Sequence, residues 1–216
     1  MENSQPNGYL ALPKSGSGAG VLVLHAWWGL NPFFKDLCDR LAKEGFVTFA
    51  PDLYRGKVVA TIEDAKLLRS KMKQQKAYLD LLGTIDYLHG LEAVTSKTIG
   101  VIGFSLGARF ALELSTEKTK KVDPVVAFYG TSIVDYSSSQ AHYLGHFAEQ
   151  DQWVAVSGIK KLEKALRTAN RPATFHIYAG TGHWFFEKDR KEAYNAPAAQ
   201  LAWKRTVDFL KLYLKD

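Results

Sequence analysis

Six short, continuous apolar runs, separated by segments with helical periodicity, dominate the sequence. They occupy residues 20–25 (GVLVLH), 46–50 (FVTFA), 98–102 (TIGVI), 125–129 (VVAFY), 142–147 (HYLGHF) and 174–178 (TFHIY). None shows the polar alternation of a strand with one wet face. Each therefore reads as a strand buried on both faces, the habit of parallel sheets. Between them, Phe34, Leu37, Cys38, Leu41 and Ala42 form one apolar helix stripe, opened by Asn31 and Pro32 and closed by Gly45. Residues 72–88 read as another helix. Leu201, Val207, Leu210 and Leu214 give the stripe of a C-terminal one, with Trp203 beside it. Strands alternating with helices predict an α/β fold with a mostly parallel central sheet and helices on both faces. One domain covering residues 1–216 is expected, with its functional residues in loops at the C-terminal ends of the strands.

A chain of 216 residues can bury a core without disulfides or metals. Its single cysteine, Cys38, excludes a disulfide framework and a Cys-rich zinc site, and no H-E-x-x-H spacing occurs. No metal and no cofactor are expected. No apolar run approaches the roughly 20 residues of a membrane span, and residues 1–9 lack the basic-then-apolar order of a secretion signal. A cytoplasmic protein without a membrane partner is expected. The net charge of +6 is concentrated in residues 160–216, which hold twelve basic and six acidic residues. These cations alternate with apolar residues at helical spacing and include no aromatic-basic motif. They read as solvated helix faces, with no nucleic-acid partner. Lys66, Arg69, Lys71, Lys73 and Lys76 form a second basic segment. It reads as a solvated helix, with a substrate lid as the sharper alternative.

The chemistry concentrates at residues 103–107, G-F-S-L-G. A G-x-S-x-G match is weak alone. Here a β-branched run precedes it and a good helix former, residues 108–114 (ARFALEL), follows. Strand, tight turn and helix are what a nucleophile elbow requires, so Ser105 is the candidate nucleophile. A serine used only as a helix N-cap would not need a glycine two residues away on each side. The helix N-terminus would also favour a developing oxyanion.

A serine hydroxyl needs a base, and the elbow order places acid and base downstream. Of the later histidines, His142, His146 and His176 fall in strand runs, whereas His183 lies in the glycine-rich loop after residue 178. His183 is the candidate base. Asp123, Asp135, Glu149 and Asp151 are the possible orienting acids. Asp123 sits at the wrong end of its strand. Asp151, after the strand ending near Phe147, has the better position, with a helix N-cap as its competing role. Leu106 and Trp27 would supply the oxyanion N–H donors, with Ala26 or Trp28 as alternatives to Trp27. Ala26, Trp28, Phe104, Tyr129 and Trp184 are the candidate pocket residues.

Residues 24–31 (LHAWWGLN), 41–46 (LAKEGF), 50–54 (APDLY), 103–107, 128–130 (FYG), 182–186 (GHWFF) and 202–210 (AWKRTVDFL) together resemble the dienelactone hydrolase family. The resemblance runs from about residue 20 to the C-terminus and implies a compact α/β-hydrolase fold. Carried over, the family's triad falls on Ser105, Asp151 and His183, and its oxyanion donors on Trp27 and Leu106. The family's namesake enzyme uses a cysteine nucleophile, assisted by a glutamate in the first loop. Serine stands at 105 and alanine at 26 here, and the two changes agree. Its substrate-binding arginine four residues after the histidine is matched by Glu187, and Arg69 is a loose match for a second arginine. The resemblance thus implies a serine hydrolase cleaving a small ester, thioester or lactone without a charged group. A non-catalytic binding module on the same scaffold and acyl transfer to an acceptor other than water are the competing readings.

Overall fold

The computed structural model describes residues 6–215. The six apolar runs become six parallel strands. They are β2 (Gly20–Leu24), β3 (Val47–Pro51), β4 (Ile99–Phe104), β5 (Val122–Phe128), β6 (Tyr143–Ala148) and β7 (Ala173–Tyr178). A seventh strand, β1 (Gly8–Ala11), was not foreseen. It pairs antiparallel with β3 at the sheet edge, in the order β1-β3-β2-β4-β5-β6-β7. Of the polar stretch 1–9, residues 1–5 lie outside the described residues, and the remainder leads into β1.

Central strands β2, β3, β4 and β6 are buried along their whole length, as continuous apolar runs demand. The edge strand β7 departs from that expectation. Only β6 flanks it, and Ile177 is 56% exposed.

Among the described residues six helices complete the α/β fold: α1 (Pro32–Lys43), α2 (Ile62–Lys71), α3 (Gln74–His89), α4 (Leu106–Glu117), α5 (Val156–Thr168) and α6 (Ala196–Tyr213). Asn31 caps α1 by accepting from the Phe34 N–H, and the predicted stripe of α1 is buried. The helix expected over 72–88 begins later. Met72 takes an extended backbone that separates α2 from α3. In α6 the buried face is Ala199, Ala202, Thr206, Val207 and Leu210, whereas Leu201 faces solvent. Alanines at 199 and 202 let this helix lie close to the sheet, so a small-residue face was hidden from a search for large apolar residues. No helix among the described residues is long and apolar enough to cross a membrane.

Because β2, β4, β5, β6 and β7 all run parallel, their C-terminal ends share one edge of the sheet. The segments that follow residues 24, 104, 128, 148 and 178 therefore converge there.

Candidate active site

At the end of β4 the chain turns into α4 within one residue. Ser105 holds φ 51° and ψ −107°, a conformation L residues rarely adopt. Its N–H donates to Phe128 O at 2.9 Å, which locks the turn to β5. The flanking glycines are required by close approach. A Cβ on Gly103 would lie 2.3 Å from Gly107 O, and one on Gly107 would lie 2.2 Å from Leu24 O. The Ser105 side chain makes no capping bond to α4. Its Oγ lies instead 3.0 Å from His183 Nε2.

His183 sits past β7, after Gly180 and Gly182, and is buried at 5% exposure. Its Nδ1 lies 2.7 Å from Asp151 Oδ2, and both side chains are nearly solvent-free. Asp151 serves two ends. Oδ1 accepts the N–H groups of Trp153 at 2.7 Å and Val154 at 2.9 Å, a turn that precedes α5 rather than opening it. The turn and the contact with His183 therefore use different oxygens of one carboxylate, and the turn fixes its orientation.

The other acids are engaged elsewhere. Asp123 accepts from the His142 N–H, Glu149 accepts from the Gly180 N–H, and exposed Asp135 accepts from the Ser137 N–H. His146 is buried between Tyr178 and Thr206, and burial holds its basicity well below that of a free imidazole. His142 pairs with Asp123, and His176 is half-buried on β7.

Ser105, Leu106 and His183 line a pocket of about 210 Å³. Trp27, Trp153, Trp184 and Tyr129 supply aromatic walls, with the Trp27 and Trp153 rings meeting edge-on at 5.0 Å. Of the five pocket residues expected from sequence, Tyr129 and Trp184 line it. Ala26, Trp28 and Phe104 do not. They are buried behind it, Phe104 in a cluster of rings with Phe34, Phe128 and Phe186.

Two guanidiniums, Arg69 and Arg109, also line the pocket. Arg109 lies four residues past Ser105, one helical turn away, a spacing that could have found it. Its Nε is 2.7 Å from Glu113 Oε1. Glu187, expected to place a negative charge at the substrate, is instead fully buried and does not line the pocket. Burial pushes its carboxyl up to about 8. Sequence reasoning also passed over His25. Fully buried, it donates through Nδ1 to Ala26 O at 2.6 Å and accepts the Leu53 N–H at Nε2, 3.3 Å away, when neutral. It thereby ties the Trp27 loop to the loop after β3.

Three of the five non-glycine residues at positive φ among the described residues, Ser105, Tyr129 and Trp184, lie at this pocket. Strain gathered in one place is a mark of a functional site.

Comparison with known proteins points the same way. The profile of the dienelactone hydrolase family matches residues 7–214. The chain is 33% identical to the protein usf of Aquifex pyrophilus, over 96% of this chain and 93% of that one. It is 30% identical to an Aquifex aeolicus protein that carries a carboxymethylenebutenolidase assignment in its name, over 96% and 94% of the two chains. Among solved structures, a dienelactone hydrolase-like promiscuous phosphotriesterase from metagenomic libraries superposes with a TM-score of 0.84. It is 21% identical, over 95% of this chain and 92% of that one, a likeness of fold.

Proposed function

The chain belongs to the dienelactone hydrolase family and is an ester-bond hydrolase, and from that premise we propose that it cleaves a small carboxylic ester or lactone through an acyl-enzyme formed on Ser105. The observation that carries this reading is the continuous chain of short contacts: Ser105 Oγ to His183 Nε2 at 3.0 Å, and His183 Nδ1 to Asp151 Oδ2 at 2.7 Å. Ser105 attacks the acyl carbon. His183 takes its proton as the bond forms and returns it to the leaving oxygen. Asp151 fixes the tautomer with Nδ1 protonated and stabilises the imidazolium. Water activated by the same imidazole then releases the acid. The backbone N–H groups of Leu106 and Trp27 receive the oxyanion. Leu106 opens α4, so its N–H is one that the helix leaves unpaired. In this reading the chain acts as one domain, with all reacting groups on one edge of one sheet.

The pocket limits the substrate. About 210 Å³ walled by Trp27, Trp153 and Trp184 suits a small, flat acyl or leaving group. Arg69 and Arg109 favour a substrate that also carries a negative charge. In this reading that preference replaces the one for uncharged substrates drawn from position 187, whose side chain does not line the pocket.

Intact mass after exposure to a fluorophosphonate tests the assignment. Labelling of the wild type but not of Ser105→Ala is expected. Labelling of both proteins would put the reactive group elsewhere, and labelling of neither would refute an activated serine. Ester turnover with and without an added alcohol then separates hydrolysis from acyl transfer.

A further inference from the structure

His183 stands in a loop whose sequence does little to orient it. Gly180, at φ 66°, and Gly182 precede it. The direction of the imidazole must come from what it touches. Asp151 holds Nδ1, the Trp184 ring meets it edge-on at 5.0 Å, and the Tyr129 ring lies against it at 4.8 Å.

Tyr129 is itself held at both ends. Its N–H donates to His146 O at 2.8 Å in a strained turn with φ 37°. Its hydroxyl donates to Glu187 Oε1 at 2.7 Å. Glu187 is anchored in turn. Its N–H donates to Trp184 O, and its carbonyl accepts the Arg190 N–H. Both side chains are fully buried.

We propose that Glu187 is a positioning residue for the triad: by holding the Tyr129 hydroxyl it clamps the Tyr129 ring against His183 and keeps the imidazole aligned between Ser105 and Asp151. The proposal rests on the triad reading above.

The local chemistry fits a neutral clamp. Burial is the main cause of the raised proton affinity of Glu187. The Tyr129 hydroxyl, Arg190 and the Trp28 indole oppose it, and Asp189 adds to it. Glu187 Oε2 and the Trp28 indole N–H each lack a full hydrogen bond among the described residues, and the indole favours the charged form without reversing the effect of burial. The Arg190 guanidinium lies over the Trp28 ring at 3.9 Å rather than on the carboxyl. Kept neutral, Glu187 can orient Tyr129 without competing with Asp151 for the charge on His183.

The test is the rate of fluorophosphonate labelling at Ser105, taken per folded molecule by active-site titration. Wild type, Tyr129→Phe, Glu187→Leu, the double variant and Glu187→Gln are compared. Tyr129→Phe and Glu187→Leu should each slow labelling about ten-fold, as misalignment of a reacting group does. The double variant should be no slower than either, because one clamp is lost once. Glu187→Gln keeps an acceptor and should stay within about two-fold of wild type. With an ester substrate, kcat should fall while KM holds.

Single variants that label at the wild-type rate, even if less stable, would overturn the clamp and leave the triad standing. A double variant that loses the product of the single effects would overturn it too, as would Glu187→Gln behaving like Glu187→Leu. Failure of the wild type to label would refute the triad reading, and the clamp with it. Should Glu187→Leu not fold, Tyr129→Phe, which keeps the ring, decides.

Discussion

Replacing Glu187 by Gln should make the protein more stable, and the gain should grow with pH. A buried carboxyl pushed from its ordinary 4.5 up to about 8 keeps its proton in the folded state over a range where the unfolded chain has lost it. In that range the folded state binds more protons, so raising the pH favours unfolding. Stability from this group is fully present below pH 4.5 and is lost as pH rises through 8. At about 1.4 kcal/mol per pH decade, the loss between those limits is about 5 kcal/mol. That is a large part of the roughly 5–15 kcal/mol that holds a domain of this kind together. Glutamine has the shape of the protonated acid and does not titrate. The two proteins should therefore differ little at pH 5 and by about 4 kcal/mol at pH 8, or about 10 °C in Tm for a chain of this length. Urea unfolding of both proteins at each pH from 5 to 9 measures this directly, because titrating groups remote from residue 187 cancel in the difference. A difference that stays constant across that range would show that Glu187 is ionised in the fold at neutral pH. The burial argument would then be wrong.

Further predictions follow from the elbow and the triad. Ser105→Ala and His183→Ala should each lower kcat on the order of 10³-fold or more, with little further loss in the double variant. Asp151→Asn should stay folded yet lose turnover sharply, since the amide cannot hold the productive tautomer; steady-state kinetics beside circular dichroism would check both halves. Ser105→Gly should unfold at a higher urea concentration than Ser105→Ala, by about 1 kcal/mol, because glycine relaxes φ 51° and alanine does not. Gly107→Ala should fold poorly and lose labelling at Ser105, since its Cβ would lie 2.2 Å from Leu24 O. Wild-type yield and stability for that variant would refute the close-approach argument.

Much of the fold could be read locally. Continuous apolar runs marked β2 to β6 because a strand covered on both faces has no polar side to display. The same rule failed at β7, where the run is apolar but the sheet ends. It also missed β1, which pairs only with β3 and begins in a polar stretch. The small-residue face of α6 was invisible to a search for large apolar side chains. The pocket lining was read less completely than the contacts among Ser105, His183 and Asp151. Trp27, Tyr129 and Trp184 line it, but Ala26 and Trp28 lie behind it, since one loop points successive side chains in different directions, and Phe104 ends β4 among core rings.

The local chemistry can be read from neighbouring residues. A strand run, two glycines around Ser105 and a helix former after it force a tight turn, and glycines around residue 183 mark a loop after a strand. Such signals depend on neighbours within a few residues, and the backbone there obeys rules that composition exposes. Which groups meet follows from the packing of distant segments. Asp151 and His183 are 32 residues apart, Ser105 and His183 78, and Tyr129 and Glu187 58. Their meeting follows from parallel strands that bring distant segments to one edge. The fold likewise encloses Glu187 beside Tyr129, out of the pocket, and burial raises the proton affinity of its carboxyl.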